Sequence, residues 1–192
     1  MRISDQVLDI FRETGALLQG HFILTSGRHS ASYFQCAKVL QHPEHLQLFA
    51  NEIVDYFRDL SIDLVISPAV GGIVLGTEVG RQLNLQTIFT ERESGIMTLR
   101  RGFEILAGNN VLVVEDVVTT GGSVQEVMNV VIKAGPNIVG VGVLVDRSGG
   151  AVKLIDNQFC VTELEAISYE ADEVPEELAI IPVLKPGSRS LK

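Results

Sequence analysis

Residues 111–123 read VLVVEDVVTTGGS, and their order decides which kind of fold the chain adopts. Val111 to Val114 form an unbroken apolar run, the pattern of a strand buried on both faces. Glu115 and Asp116 follow at its carboxyl end. Val117 and Val118 then lead to Thr119-Thr120-Gly121-Gly122-Ser123, a turn that opens SVQEVMNVVIKAG, a helical pattern closed by Gly135. Such a turn is an anion site by geometry: glycines let successive backbone N–H groups face one point, hydroxyls add donors, and the helix N-terminus contributes its dipole. Each charge-assisted hydrogen bond contributes about 1.5–3 kcal/mol, so several hold a phosphate without a lysine. The acids conflict with simple phosphate binding, since a carboxylate roughly 6 Å from a phosphate charge is repelled by about 3 kcal/mol at an effective dielectric near 20. A sugar diol, which donates hydroxyls to paired carboxylates, and a divalent cation both relieve that conflict. The stretch therefore points to a ribose 5-phosphate with a metal nearby.

Strand, turn and helix recur on either side. DLVIS (63–67) ends at Pro68 and precedes GGIVLGTEVGRQL, a helix opened by glycine; LQTIF (85–89) and NIVGVGVLVD (137–146) are further strands. Pro43 opens a helix carrying Leu46, Phe49, Ala50, Ile53, Val54 and Phe57 on one face. Ile3, Val7, Ile10, Phe11, Thr14, Leu17 and Leu18 keep helical spacing, which predicts a helix over 4–18 with Ser4 as its cap and Gly20 at its end. HFILTSGRHSASYFQ (21–35) reads as two short strands around a Ser-Gly turn. Apolar strands separated by helices predict the α/β class, a parallel sheet flanked by helices, whose ligands lie beyond the carboxyl ends of the strands. That rule marks PAVGG (68–72), the segment after Phe89, the opening stretch and the residues after Val145.

The 192 residues suit a single domain, 1–192, and 46% hydrophobic residues are enough to build a core. The formal charge of -9, with no basic block, argues against a duplex nucleic-acid partner. No apolar run has the roughly 18 to 20 residues of a membrane span, and MRISDQVLDIFRE is charged where a secretory leader is apolar, so a cytoplasmic location is expected. Cys36 and Cys160 form neither a disulfide framework nor a CxxC pair, which suits a reducing compartment. Walker and dinucleotide fingerprints are absent. The HPEH run at His42 and His45 opens a helix and gathers no further ligands, Ser26 and Ser123 lack a histidine base, and YEADEVPEE is a solvated face, so no metal centre held by the protein alone and no hydrolase is indicated.

The apolar strand, the two acids and Thr-Thr-Gly-Gly-Ser resemble the signature of type I phosphoribosyltransferases. TGALLQGHFILTSGRHSASYFQ (14–35), PAVGG, MTLRRGFEI and VGVLVDRSGG resemble, in order, segments of the orotate phosphoribosyltransferases, from about Val7 to Arg147 and more weakly beyond. The resemblance implies a type I phosphoribosyltransferase-like sheet with a small hood built from about 1–36 and 161–192. It implies transfer of the 5-phosphoribosyl group from phosphoribosyl pyrophosphate to orotate with Mg2+, in a homodimer that shares loop residues between chains. Glu115, Asp116, Val117, Val118, Thr119, Thr120, Gly121, Gly122 and Ser123 would wrap the ribose 5-phosphate. Ala69, Val70, Gly71 and Gly72 would meet the pyrophosphate, and Thr119, Arg147, Tyr33 and Phe34 the orotate. Arg147 has physical support as well, because a guanidinium fork suits the carboxylate that distinguishes orotate from uracil. Each assignment has a plain structural alternative: a surface pair of Arg147 with Asp146, core packing for Tyr33 and Phe34, and a tight strand-to-helix turn for Gly71 and Gly72.

The sequence departs from the family's pattern in its cations. TERESGIMTLRR (90–101) corresponds to a mobile segment that carries a lysine and a histidine into the neighbouring subunit's site, yet here Arg92 is the basic residue near the first such position, and no lysine occurs between Lys38 and Lys133. Thr25 stands where a basic residue is common, and Gly71 where some members have lysine. Arg28, Arg92, Arg100 and Arg101 are the candidates to compensate. These losses leave open a diverged family member that binds without turnover, and a purine-type phosphoribosyltransferase keeps the chemistry with another base.

Overall fold

The computed structural model describes residues 3–24, 27–164 and 167–185. Its main sheet has six strands in the order β5-β4-β3-β6-β7-β8. These are β3 (Leu64–Pro68), β4 (Gln86–Glu93), β5 (Ile96–Leu99), β6 (Asn110–Val118), β7 (Asn137–Asp146) and β8 (Gln158–Glu163). Every neighbouring pair is parallel except β4 with β5, an antiparallel hairpin. On one face lies α5 (Gly122–Ala134); on the other lie α3 (Pro43–Phe57) and α4 (Gly71–Leu83). The α/β class expected from alternating apolar strands and helices is the fold found.

The alternation along β6 shows why the sheet is covered twice. Val111 and Val113 join Ile66, Ile88 and the α5 residues Val124, Val127 and Val131, while Leu112 and Val114 join Leu75 and Val79 of α4 and Phe49, Ile53 and Phe57 of α3. Each fully buried side chain of this size contributes about 1.5–3 kcal/mol. Pro43 is the first residue of α3, where its missing N–H has no helical partner to lose.

A second sheet, of four strands in the order β10-β1-β2-β9, forms a hood. It comprises β1 (Leu17–Ile23), β2 (His29–Phe34), β9 (Ser168–Tyr169) and β10 (Val183–Leu184). The short helices α2 (Cys36–Leu40) and α6 (Glu176–Ala179) flank it in sequence. Buried His21 of β1 donates from Nδ1 to the Ile181 carbonyl at 3.2 Å, leaving Nε2 to accept from His29 Nδ1 at 2.6 Å.

Three expectations are corrected. The first helix, α1, runs only Ile3–Glu13, so Ser4 lies inside it and Leu17 and Leu18 belong to β1. Gly15, at φ +64, ends it: the Ala16 N–H reaches the Phe11 carbonyl at 2.8 Å and the Gly15 N–H reaches Arg12 at 3.1 Å, a Schellman closure. Gly20 instead sits in β1, where the register with β2 shifts. Residues 90–101, which correspond to a mobile segment in many family members, include the β4–β5 hairpin around Ser94 and Gly95, with Met97 buried. The tail from Val161 is not wholly peripheral, because β8 runs to Glu163 as a strand of the main sheet and Val161 is buried there. Thr25 lies outside the described residues.

Candidate active site

The strand carrying the two acids is longer than the apolar run suggests. β6 pairs with β7 up to Val118↔Asp146, but its last registered pair with β3 is Ile66↔Val113. Beyond that pair β6 has no registered partner on its β3 side, although β3 stays paired with β4 to Pro68. Glu115 and Asp116 therefore sit within the last part of β6 and not past its end, along the edge beyond its last β3 partner.

The chain that leaves β3 lies against the acids of β6. A methyl group built on Gly71 would lie 2.3 Å from Asp116 Oδ2, and one on Gly72 would lie 3.0 Å from Glu115 Oε1. Gly71 and Gly72 thus lie directly against the acids, an approach this close because both lack side chains. Val70 is exposed, and the Ala69–Val70 peptide is cis. The Ala69 N–H donates to the Thr90 carbonyl at 2.8 Å, which fixes the turn against the end of β4. Glycine at 71 and 72 serves tight packing, as the plain alternative holds, and what it packs against is the acid pair.

Glu115 is buried, and burial pushes its carboxyl well above the usual carboxylate range, with the neighbouring Asp116 charge adding to the shift. Its Oε1 accepts from the Asp116 N–H at 3.0 Å, and Asp116 Oδ1 accepts from the Val117 N–H at 2.9 Å. Asp116 is half-buried. The pair is one enclosed carboxyl beside one accessible carboxylate, poised to accept hydroxyl donors.

Past Val118 the chain makes the expected turn. Gly121 adopts φ +75, and a Cβ there would come within 2.8 Å of Val152 and 2.9 Å of Leu154, so glycine is required on both counts. Thr119, Thr120 and Gly122 are exposed, and among the described residues no group accepts from the backbone N–H of Thr120, Gly121, Gly122 or Ser123. These amides and hydroxyls, with Glu115, Val117, Val118 and Val124, line a concavity of about 240 Å3 including its open mouth. Unpaired amides at a helix N-terminus suit a phosphate dianion.

Across from the turn stands Arg147, directly after β7. Its N–H donates to the Val118 carbonyl at 2.8 Å, placing it beside Thr119. The alternative of a surface ion pair with Asp146 does not form: Asp146 Oδ1 accepts instead from the Ser148 N–H at 2.7 Å. Arg147 is buried, with its guanidinium 5.2 Å from the centre of the Phe34 ring, and Nη2 has only the Ser32 carbonyl at 3.5 Å. No described carboxylate pairs with it and Nε has no partner; burial lowers its pKa, an effect that Tyr33 and Cys36 partly offset. Phe34 also packs edge-on against Phe11, 5.9 Å between ring centres, so it belongs to the core while forming the floor under Arg147. Tyr33, half-buried, has its phenol pKa raised by burial.

Two residues bordering the site carried no functional signal in the sequence reading. Cys36 is buried, its thiol pushed well above its ordinary pKa by burial and then by the Asp116 and Glu115 charges. Glu126 of α5 meets Arg92 Nη2 at 2.5 Å. Helical spacing holds a clue to Glu126, which lies one turn beyond Gly122. Arg92 itself sits in β4, also donating to the Gly95 carbonyl at 3.0 Å. Among the described residues no group of three His, Cys, Asp or Glu side chains could hold a metal ion, and both cysteines are free.

Comparison with known proteins identifies the family. The profile of the phosphoribosyl transferase domain family matches residues 36–179. The chain is 58% identical to an orotate phosphoribosyltransferase of Chlorobium phaeobacteroides, covering 96% of this chain and 95% of that one. It is 57% identical to an orotate phosphoribosyltransferase of Chlorobaculum parvum, over 97% of each. The crystal structure of orotate phosphoribosyltransferase from Aeropyrum pernix is similar with a TM-score of 0.69 at 27% identity, over 82% of this chain and 93% of that one. With the acid pair, the turn of open amides and the buried Arg147 all at one end of a parallel sheet, the chain belongs to the phosphoribosyltransferase family, among its orotate phosphoribosyltransferases.

Proposed function

We propose that the chain transfers the 5-phosphoribosyl group from phosphoribosyl pyrophosphate to orotate, giving orotidine 5'-phosphate and pyrophosphate in pyrimidine synthesis. The observation that carries the choice of base is Arg147, a buried cation with no anion of its own beside a sugar-phosphate pocket. A base bearing a carboxylate supplies the missing charge, with hydrogen bonds of about 1.5–3 kcal/mol each. Uracil, hypoxanthine and xanthine lack that carboxylate.

The open amides of 120–123 take the 5-phosphate, and the ribose hydroxyls donate to Asp116 and Glu115. As the bond from the anomeric carbon to the pyrophosphate oxygen breaks and the bond to the ring nitrogen of orotate forms, positive charge develops on the sugar. The two carboxyls stabilise that charge once hydroxyl donors hold Glu115 ionised. No nucleophilic side chain is needed, since orotate attacks directly. Ala69 to Gly72 would meet the departing pyrophosphate, a reading supported by the closeness of Gly71 and Gly72 to the acids.

The donor set suits Mg2+, which binds through one or two carboxylates and substrate phosphates and keeps its remaining waters. Asp116 and Glu115 would hold it together with the substrate; when bound, a divalent cation supplies charge to the leaving oxygens. A homodimer belongs to the same proposal, supported by the exposed hairpin with Ile96 on its outside. The two free thiols support a reducing cytoplasm.

The test is a spectroscopic turnover assay with phosphoribosyl pyrophosphate and Mg2+, offering orotate beside uracil, hypoxanthine and xanthine. Orotate alone should be consumed, and Asp116→Asn should lose turnover while melting near the wild-type temperature. Turnover of a purine in preference to orotate refutes the assignment of the base.

A further inference from the structure

The arginines at the carboxyl end of β4 and β5 are each engaged by a carboxylate of the same chain. Arg101 forks onto Glu91 at 2.7 and 2.9 Å, Arg100 meets Glu93 at 3.3 Å, and Arg92 meets Glu126 at 2.5 Å. The first two pairs close within or beside the hairpin. The third joins the hairpin to another element, α5, whose first residues form the phosphate turn. Any of these arginines that grips a polyphosphate has first to leave a carboxylate.

Arg92 is the best placed of the three. It shares the α5-facing side of β4 with Ile88 and Thr90, and the Thr90 carbonyl holds the Ala69 N–H at 2.8 Å. Two residues, about 7 Å of strand, therefore separate Arg92 from the point where the pyrophosphate turn is fastened. Glu126 Oε2 is shielded from solvent and makes no hydrogen bond of good geometry, so its contact with Arg92 is chiefly one of charge. A contact of that kind is readily exchanged for another anion.

We infer that Glu126 is a positioning residue that holds Arg92 in reserve: its carboxylate stands in for the substrate's pyrophosphate in the ligand-free protein and yields the guanidinium when that group arrives. The inference rests on the reading that Arg92 serves the pyrophosphate. It places a control on the reaction outside the pocket, on a helix face that touches no substrate. Exchange of one anion for another also lets the hairpin engage without leaving a bare cation at any stage.

Affinity for inorganic pyrophosphate with Mg2+, and separately for ribose 5-phosphate, is to be measured by calorimetry on the intact protein and on Glu126→Gln, Glu126→Asp, Arg92→Ala and the Arg92→Ala/Glu126→Gln pair. Removing the competing charge should tighten pyrophosphate about two- to fivefold, the range a partly exposed ion pair commands. Ribose 5-phosphate should be unmoved, Glu126→Asp should restore wild-type behaviour, and Glu126→Gln should be silent once Arg92 is gone. A merely structural Glu126 would instead weaken both ligands together. That result, or unchanged or weaker pyrophosphate binding by Glu126→Gln while Arg92→Ala still loses affinity, overturns the inference and leaves the reading of Arg92 standing. Pyrophosphate binding that survives Arg92→Ala intact overturns that reading, and the inference with it.

Discussion

Replacing Gly71 by alanine adds one methyl group at the first residue of α4, and the structure says where that group must go. Its nearest neighbours would be the Asp116 carboxylate oxygens and carbon at 2.3 to 2.7 Å, where ordinary contact begins near 3.4 Å. The backbone of Gly71 is not in the left-handed region, and alanine is favoured over glycine in a helix by up to about 1 kcal/mol. Folding should therefore be untouched or slightly improved. The carboxylate, the end of a half-buried side chain, is what gives way, by roughly 1 Å, and a displacement of that size in a reacting site costs about a hundredfold in rate. The assay is kcat/KM for orotate at saturating phosphoribosyl pyrophosphate, run beside a thermal melt. Because the damage passes through Asp116, Gly71→Ala should add little to the loss already caused by Asp116→Ala. Wild-type kcat/KM in the single variant, or a full further hundredfold loss in the double, would refute the claim that this turn sets the position of the acid.

Two further outcomes follow from the electrostatics. Arg147→Met should weaken orotate at least tenfold, the loss of one charge-assisted hydrogen bond or more, while raising the melting temperature of the ligand-free protein by a few degrees because it removes a buried cation without an anion; unchanged orotate affinity contradicts it. For Glu115, burial raises the folded-state pKa above its unfolded value, so the folded state holds the proton more tightly. Stability is then greatest at low pH and declines as pH climbs from about 4.5 through the raised value. Glu115→Gln lacks that decline, so its melting temperature should exceed the wild type's by a margin that widens from pH 5 to pH 8, and a margin independent of pH argues against the burial.

What the sequence made legible is local. The run from Val111 to Gly135 specifies strand, turn and helix residue by residue: β6 is apolar on both faces, Gly121 is demanded by its φ, and α5 is periodic. The end of α1 was obscured because Thr14, Leu17 and Leu18 keep helical spacing by coincidence, while the signal that terminates the helix is a single residue, Gly15. The hairpin was hidden differently. β5 is only four residues long with Met97 its one buried side chain, too little apolar pattern to mark a strand. Contacts between distant segments left no periodic trace. Arg147 over Phe34, the Gly71 backbone on Asp116 and Arg92 on Glu126 each join separate elements, and only the folded chain reveals that these residues meet.

The hood joins segments from opposite ends of the described chain, since His21 and Phe22 of β1 register with Val183 and Leu184 of β10. A ribosome releases these partners far apart in time. The six strands of the main sheet have all left the exit tunnel once Glu163 is clear, so that layer can condense while β1 still lacks its outer neighbour. Throughout that interval the nascent chain displays an unpaired strand edge, the kind of template on which two growing copies could stick. β10, only Val183 and Leu184, later covers just His21 and Phe22 of that edge, so most of the protection of β1 has to come from elsewhere than its outer neighbour.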